Sequence, residues 1–355
     1  MNKIEKFKNY YKEVKNNLDN KLEEFNKKLV KEDNELLKYN FELFANLNSE
    51  GKLVRGTLVN LGYYLLKEDK DYSNYLSLAY EVFQTAVLVH DDVIDNDDMR
   101  RGKDTIHFAN RKKYSKYDED IKDLGNNIAI CMGDYGFYLA NQLISENYCN
   151  DPNLGKVLNC FNDTVLKTAR GELLDVILPF QGKHNLLKEN EIEKHIIEIF
   201  RLKTAHYTII GPMSVGLLLA GADDDKLKDI EKFGEKIGIA FQIQDDILGV
   251  YSDAMEKNKG SDIKEFKQTL LYSHIITTPY KDEFLKYYGD LNLNDNEIEI
   301  VKDLFKKSGS YDYAYEMMNR YYDEGLKELN NIKWINEDKK ELIEGFVEYL
   351  RIRNK

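Results

Sequence analysis

The sequence predicts an all-α protein, and three observations support this prediction. Only 4 prolines occur in 355 residues, apolar side chains recur at helical spacing, and the helix-compatible residues Leu, Lys, Glu and Ile are abundant. No Ser/Gly-rich linker divides the chain, and no repeat of about 20–50 residues is present. We therefore expect one domain over residues 1–355, built from roughly ten or more helices.

The predicted elements follow in chain order. Residues 4–45 carry apolar side chains at mixed three- and four-residue spacing among Lys and Glu, as in an amphipathic helix or helix pair. A break at 48–51 precedes a helix that starts near Lys52, and a strongly apolar helix covers 75–95. Residues 100–124 are predicted as part loop and part short helix. Further helices are expected at 126–145, 153–175, 189–219, 224–251 and 261–278, with three or four more between 293 and 353.

Composition excludes several classes of protein. The formal net charge of -12 argues against a nucleic-acid partner, because a phosphate backbone would be repelled. Cys131, Cys149 and Cys160 show no CxxC or Cys/His metal spacing, which indicates a reducing compartment and a cytoplasmic location. The N-terminus mixes charges throughout, so no secretory signal is expected. The longest apolar run, 207–220, is too short and interrupted for stable membrane insertion.

The apolar helix at 75–95 ends in an acidic motif, which basic residues follow. Asp91 and Asp95 are four residues apart, so on a helix they share one face, with Asp92 beside them. Carboxylates so close repel one another unless a cation lies among them, and Arg100 and Arg101 follow. Carboxylates that hold Mg²⁺ beside guanidiniums form a diphosphate site, because the metal bridges phosphate oxygens and arginine binds bidentately. The alternative is a solvated acidic helix end.

A second acidic cluster lies far downstream. Asp245 and Asp246 end a run of apolar and amide side chains that starts at Phe241. Two adjacent carboxylates in such a setting are costly to bury without a cation or hydrogen-bond partner. Two acidic pairs, each after an apolar helical run, predict opposite walls of one site.

With these motifs and several others, the chain resembles the all-trans polyprenyl diphosphate synthases, from about residue 40 to the C-terminus. That family consists of all-helical head-to-tail prenyltransferases. The resemblance therefore implies one polyprenyl synthetase domain, an isoprenoid-synthase bundle around a central cavity, with an N-terminal helical region at 1–45 and the catalytic core at 46–355. The further landmarks are Gly51 to Arg55, Gly133 to Tyr135, Gly171 to Asp175, Lys203 to Ala205, Phe241-Gln242, and Asp262-Ile263 with Lys267.

The reaction that the resemblance implies joins an allylic diphosphate to isopentenyl diphosphate. The allylic C–O bond ionises, the other substrate's double bond attacks the cation, and a proton is lost. Metal ions and cationic side chains stabilise the departing diphosphate, with about three Mg²⁺ per site expected and Mn²⁺ as a substitute. Asp91 and Asp95 would hold two ions on the allylic diphosphate with Asp92 in support. Asp245 would hold the third ion, with Asp246 behind it.

The same resemblance implies roles for basic and amide residues. Arg100 is implied on the allylic diphosphate and Arg101 on isopentenyl diphosphate. Lys203 would stabilise the leaving diphosphate, Thr204 would steady the cation, and Gln242 would face the same cavity. Together with Arg100, these last three form the implied catalytic set. Substrate binding is further implied for Lys52, Arg55, Gln84, Lys267 and a closing-loop lysine, either Lys259 or Lys257.

Three positions depart from the family pattern or leave it ambiguous. Gly56 stands where the family usually has proline, which loosens the backbone without removing charge. Gly249 stands where many relatives have the third aspartate of a second DDxxD, so a third metal ion would be weakened without being abolished. Asp97 completes an alternative DDxxxxD, but Arg100 lies nine residues after Asp91, as in the DDxxD subtype, so Asp97 is discounted.

Residues before the first acidic motif predict the length of the product. Val87 and Ala86 lie one helical turn before it and are modest or small, whereas Phe83, two turns before it, is the first bulky side chain. The prenyl tail should run along this face, so Phe83 is a candidate floor. We expect a product longer than farnesyl, near geranylgeranyl, with farnesyl and a somewhat longer chain as the outer possibilities. Tyr135 or Phe137 on a neighbouring helix are alternative floors.

Two other functions share part of this pattern. A class I terpene cyclase also uses DDxxD, but it does not need Lys52, Arg55 and Arg101 for a second diphosphate. A non-catalytic subunit of a heteromeric synthase usually lacks the first acidic motif, which is intact here, although Gly249 keeps this alternative open. The expected partners are isopentenyl diphosphate, an allylic diphosphate and a second copy of the chain, since the resemblance implies a homodimer.

Overall fold

The computed structural model describes residues 2–31, 34–117, 121–184, 186–251 and 260–352, and these are helical almost throughout. Their only strands are β1 (Met99–Arg100) and β2 (Lys103–Asp104), an antiparallel hairpin. The all-α prediction is confirmed. The helices are α1 (Lys3–Leu29), α2 (Glu35–Asn48), α3 (Val54–Tyr64), a 3₁₀ helix (Lys70–Ser73), α4 (Asn74–Ile94), α5 (Ile106–Tyr114), α6 (Lys122–Asn147), α7 (Leu154–Lys183), α8 (Glu189–Ile199), a π-helical segment (Phe200–Ile210), α9 (Gly211–Leu219), α10 (Asp224–Tyr251), α11 (Ser261–Lys264), α12 (Leu270–Ile275), α13 (Lys281–Phe284), α14 (Asp295–Lys307), α15 (Ser310–Asn331) and α16 (Glu337–Arg351).

One compact unit consists of Asn9–Cys160 and Pro212–Ala222, and we call it the N-terminal unit. Within it α4 packs against α6 and α3, and α5 packs against α6. Helices α3 and α9 meet backbone to backbone, because a β-carbon on Gly62 would lie 2.2 Å from the carbonyl oxygen of Met213. Glycine at this crossing therefore brings α9 against α3.

The other compact unit consists of Met1–Lys8, Phe161–Gly211 and Asp223–Lys355, and we call it the C-terminal unit. Its helix α10 packs against α15, the π-helical segment and α16. A β-carbon on Gly238 of α10 would lie 2.3 Å from Cα of Ala205, so α10 touches the backbone of the π-helical segment. The single domain expected from the sequence stays a prediction.

Two of the predicted helical regions differ in outcome. Residues 4–45 form the helix pair α1 and α2, within the predicted alternatives. The single helix predicted at 261–278 is wrong, because α11 ends at Lys264 and Phe266 has a φ of 59°, which cannot continue an α-helix. A new helix then starts behind the N-cap Thr269. Among the described residues, none of the helices has the length and apolar character that a bilayer crossing demands.

Candidate active site

The first acidic motif lies at the C-terminal end of α4. Asp91 and Asp92 are in its last turn, and Asp95 is the C-cap with φ -79° and ψ -8°. The helical relation of Asp91 to Asp95 is therefore kept through the cap. Asp92 is 1% exposed, whereas Asp95 is exposed and Asp91 is half-buried. The motif thus offers two accessible carboxylates and one buried carboxylate.

Arg100 connects these carboxylates. Its Nε donates to Oδ1 of Asp92, and its Nη2 donates to Oδ2 of Asp91 at 3.1 Å. Burial raises the pKa of Asp92 to about 7, against the opposing effect of the Arg100 guanidinium. Oδ2 of Asp92 is buried and has no hydrogen-bond partner among the described residues. A buried acceptor without a donor, next to accessible carboxylates, fits a divalent cation with oxygen ligands.

The hairpin of β1 and β2 positions the two arginines. Arg100 lies on β1, and the two-residue turn consists of Arg101 and Gly102, with φ of 52° and 77°. Positive φ at both turn positions is the geometry that suits a tight hairpin. The turn therefore places consecutive cations at the end of α4, with Arg100 directed at Asp91 and Asp92.

Left-handed backbone conformations mark the predicted site. Four non-glycine residues of the described chain have positive φ, and each is, or directly adjoins, a predicted site residue. Such conformations cost about 1–3 kcal/mol each and concentrate at functional sites. No sequence signal distinguishes these positions. They are Leu53 after Lys52, Asn96 after Asp95, Arg101 itself, and Phe266 before Lys267.

The Gly-Lys-x-x-Arg segment lies at the N-terminus of α3. Leu53 is the N-cap, so Lys52 precedes the helix and Arg55 is in its first turn. Two cations at a helix N-terminus suit an anion, because the unpaired N–H groups and the helix dipole add to their charge. Within α4, Oε1 of Gln84 is buried and has no partner among the described residues.

Glu81 lies behind this segment, and the sequence analysis does not identify it. Its carboxylate is buried, and Oε1 accepts a 2.6 Å hydrogen bond from the N–H of Gly56. Burial raises the pKa of Glu81, although this hydrogen bond and the charge of Arg55 act in the opposite direction. Proline has no N–H to donate. Gly56, a departure from the family pattern, therefore gives Glu81 its donor.

The second acidic motif lies on α10, where Asp245 is exposed and Asp246 is 2% exposed. A hydrogen-bonded chain leads to the buried carboxylate. The hydroxyl of Thr204 donates to Oε1 of Gln242 at 2.6 Å, and Nε2 of Gln242 donates to Oδ1 of Asp246 at 2.9 Å. The structure therefore brings the predicted Thr204, Gln242 and Asp246 together.

Lys267 reaches the same buried carboxylate. Its Nζ lies 3.4 Å from Oδ1 of Asp246. Burial raises the pKa of Asp246 to about 7, with Lys267 opposing the shift. Burial disfavours the lysine's charge, yet the carboxylates of Asp262 and Asp246 raise the pKa of Lys267 well above its ordinary value. Oδ2 of Asp246 is buried without a hydrogen-bond partner in the described ranges, as for Asp92 in the first motif.

Lys203 lies in the π-helical segment and contacts two acids of α7. Its Nζ is 2.7 Å from Oδ2 of Asp175 and 2.8 Å from Oε2 of Glu172. A β-carbon on Gly171 would lie 2.5 Å from the backbone N of Lys203, so the two helices touch at this point. Neither acid was predicted as its partner, although their three-residue spacing after a glycine places both on one helix face.

Residues proposed for the product tail pack around α4 and α6. Phe83 is fully buried, and its ring centroid is 5.8 Å from that of Phe137. Ala86 is buried against α6, where a β-carbon on Gly136 would lie 2.8 Å from its Cβ. Val87 is half-buried. Phe83 and Phe137, two of the candidate floors, are therefore in contact.

That the two acidic motifs form opposite walls of one site stays a prediction. The first acidic motif belongs to the N-terminal unit and the second to the C-terminal unit. Lys257 and Lys259 lie outside the described residues. Within the described ranges, no group of three or more His, Cys, Asp or Glu side chains is placed to hold a metal ion alone. Mg²⁺ commonly binds through one or two carboxylates and completes its shell with phosphate and water oxygens, so the carboxylates present fit that ion.

Comparison with known proteins agrees with these features. The model of the polyprenyl synthetase family matches residues 37–307. The geranylgeranyl diphosphate synthase of Sulfolobus acidocaldarius is 30% identical over 333 residues, covering 92% of each chain. The geranylfarnesyl diphosphate synthase of Natronomonas pharaonis is 27% identical over 324 residues, covering 86% of each. A geranylgeranyl pyrophosphate synthase from Corynebacterium glutamicum, complexed with isoprenyl diphosphate and magnesium, has the same fold, with a TM-score of 0.84, 21% identity, and coverage of 97% of this chain and 98% of that one.

Proposed function

Because the chain belongs to the polyprenyl synthetase family, we propose that it condenses an allylic diphosphate with isopentenyl diphosphate, head to tail and in the trans configuration. It is a prenyltransferase of isoprenoid biosynthesis that makes short- or medium-chain prenyl diphosphates. The observation that carries the proposal is the intact first acidic motif with two consecutive arginines on a tight hairpin. An acidic wall with adjoining guanidiniums is what a diphosphate-binding site requires.

The carboxylates divide into accessible and buried ones, and we assign different roles to them. Asp91, Asp95 and Asp245 are the proposed Mg²⁺ ligands, because they are the more accessible members of their motifs. Asp92 and Asp246 are buried and support their neighbours from behind. Bound Mg²⁺, with about three ions proposed and Mn²⁺ as a substitute, neutralises charge on the departing diphosphate.

Basic side chains of the protein take up the remaining negative charge of the two substrates. Arg100 and Lys203 are proposed for the allylic diphosphate, together with Lys267 and the lysine of the closing loop, Lys259 or Lys257. The hydroxyl of Thr204 and the amide of Gln242 are joined by a hydrogen bond beside Lys203. This hydrogen bond is proposed to orient both groups toward the developing cation.

The second diphosphate is proposed to bind at the N-terminus of α3. Lys52 and Arg55 supply charge there, Arg101 adds a guanidinium from the hairpin, and Gln84 supplies a polar group whose Oε1 lacks a partner within the described ranges. A terpene cyclase binds only one diphosphate and has no use for this second group. These residues therefore favour the transferase over the cyclase.

We propose a product in the geranylgeranyl range. Phe83, two turns before Asp91, is the proposed floor, because it is fully buried and in contact with Phe137. Ala86 and Val87, one turn before Asp91, are smaller than the aromatic side chain that would stop a tail at that turn. Relatives named for geranylgeranyl and geranylfarnesyl products support this range.

A homodimer is proposed from an apolar stripe on α7. Leu166, Leu173, Val176, Ile177 and Phe180 recur at three-, four- and seven-residue spacing, and Leu173 and Phe180 are 62% and 60% exposed. A second copy of the chain that covers this stripe would remove apolar surface from water.

The net charge of -12 opposes nucleic-acid binding, and the sparse cysteines support a cytoplasmic location.

The experiment that tests the function is a sized product assay. Purified protein is incubated with Mg²⁺, labelled isopentenyl diphosphate and, separately, dimethylallyl, geranyl or farnesyl diphosphate. The products are then dephosphorylated and separated by length. We expect a ladder that ends at one discrete length, absent in an Asp91→Ala control. Cyclic hydrocarbons made from the primer alone would contradict the proposal in favour of a cyclase. No elongation with any primer by a folded protein would contradict it in favour of a partner-dependent subunit.

A further inference from the structure

The second acidic motif has only two carboxylates on α10, because Gly249 stands four residues after Asp245. The space beside this glycine is filled from another element. A β-carbon added to Gly249 would lie 2.3 Å from Oδ2 of Asp262 and 3.3 Å from its Cγ. Asp262 is carried by the short helix α11, and its carboxylate occupies the volume that a side chain at position 249 would have to enter.

The carboxylates of Asp245 and Asp246 are here called the Asp245 wall. We propose that Asp262 supplies the third carboxylate of this wall, in place of the aspartate that is absent at position 249. The inference rests on the proposed function of that wall as a site for Mg²⁺ and diphosphate. It assigns to a residue outside the motif, on a different helix, the charge that the motif lacks.

Burial and contacts of Asp262 support this role. The residue is 3% exposed, and its Oδ2 lies 3.8 Å from Nζ of Lys267. The same Nζ lies 3.4 Å from Oδ1 of Asp246, so one lysine faces two buried carboxylates. When both carboxylates are ionised, one ammonium leaves a net negative charge in a place where uncompensated charge is costly. A further cation would relieve it.

A second, independent observation indicates where that cation would bind. Oδ2 of Asp246 is buried and accepts no hydrogen bond from any described residue. Its partner oxygen already accepts from Gln242 and faces Lys267. The carboxylate that shares Lys267 with Asp262 therefore has an unpaired oxygen, which leaves an acceptor for a metal-bound water.

Moving the carboxylate from one helix to the other tests the proposal. We would measure binding of inorganic pyrophosphate to the full chain by calorimetry, at fixed Mg²⁺, for Asp262→Asn, Asp262→Ala, Gly249→Asp and the double variant Gly249→Asp/Asp262→Ala. We expect both single Asp262 variants to bind about tenfold more weakly. Gly249→Asp alone should gain nothing, because its side chain meets the Asp262 carboxylate. The double variant should return to within about threefold of the wild-type affinity.

Asp282→Asn is the matched control, since Asp282 is an exposed aspartate on α13 and should bind as wild type. Thermal melts would establish that each variant is folded. Unchanged affinity in Asp262→Asn, or a double variant as weak as Asp262→Ala, would overturn the proposal, as would a wild type that binds no pyrophosphate with Mg²⁺. A wild type that binds pyrophosphate but elongates no primer would contradict the proposed function alone, because the binding series still tests Asp262.

Discussion

Replacement of Phe83 by alanine tests the proposed floor of the product pocket. Phe83 is fully buried in the N-terminal unit, with its ring centroid 6.0 Å from that of Tyr80 and 5.8 Å from that of Phe137. Truncation of a buried phenylalanine costs about 3–5 kcal/mol, and the volume it vacates is comparable to about one isoprene unit. The variant should therefore be less stable and should make a longer product.

Product analysis and unfolding together measure these two effects. In the sized product assay, the main product of Phe83→Ala should lengthen by about one five-carbon unit, because the tail can enter the vacated volume. Thermal unfolding without substrate should show the loss of stability. A long allylic diphosphate should raise the melting temperature of the variant more than that of the wild type, because its tail fills the cavity.

Phe305→Ala is the matched control for this prediction. Phe305 is also fully buried, but it lies in the C-terminal unit against Phe284. It should lose similar stability and leave the product distribution unchanged. If Phe83→Ala is destabilised and still makes the wild-type product, Phe83 is not the floor. Longer products from Phe137→Ala in that case would assign the role to Phe137.

Three further predictions concern hydrogen bonds and pH. Thr204→Val should lower kcat about tenfold, because Gln242 Oε1 loses a hydrogen bond worth about 1 kcal/mol and the Gln242 side chain loses its fixed orientation. Thr204→Ser should keep most of the rate, and equal rates for the two variants would refute this. Glu81→Leu should reduce the free energy of unfolding in urea by about 1–3 kcal/mol more than Glu81→Gln does. The reason is that only glutamine can still accept a hydrogen bond from the buried N–H of Gly56. Equal urea midpoints for the two variants would contradict this. Burial lowers the pKa of His107 to about 4. The unfolded chain therefore binds the proton more readily than the folded chain between about pH 6.5 and 4. The free energy of unfolding falls as the pH falls through that window, by about 2 kcal/mol at pH 5. His107→Gln should flatten the dependence of the urea midpoint on pH, and an unchanged slope would count against the argument.

The fold follows from patterns that are visible along the chain. Helical spacing and scarce proline predict the all-α architecture, and the break near Gly51 is where α3 begins after the N-cap Leu53. The interruption at Phe266 is not predictable, because nothing in the sequence announces a left-handed phenylalanine. Its conformation is imposed by tertiary packing, with Gly289, whose β-carbon would lie 2.6 Å from the Phe266 ring, allowing the close approach.

The candidate site is predictable to the extent that charge and spacing reveal it. Asp91 and Asp95 are identifiable because their four-residue spacing places them on one helix face, and Arg100 is identifiable from the resemblance to the family. Glu81 is not, because its partner is the N–H of Gly56, at a position where the family usually has proline. Asp262 is visible in the sequence only as a family landmark, and nothing there shows that its carboxylate fills the space beside Gly249. A glycine in the sequence does not show which neighbouring group uses the space or the N–H that it leaves, and only the folded structure shows this.

The π-helical segment Phe200–Ile210 has a consequence for how this protein tolerates changes in length. A π-helix has more residues in each turn than an α-helix. Deletion of one residue inside the segment would let it rewind as an α-helix, and Lys203 would then turn by about 100° around the helix axis. Gly171 and Gly238 hold neighbouring helices against its backbone and leave little room for that rotation. A single insertion or deletion there would therefore either turn Lys203 away from Glu172 and Asp175 or force the neighbouring helices apart.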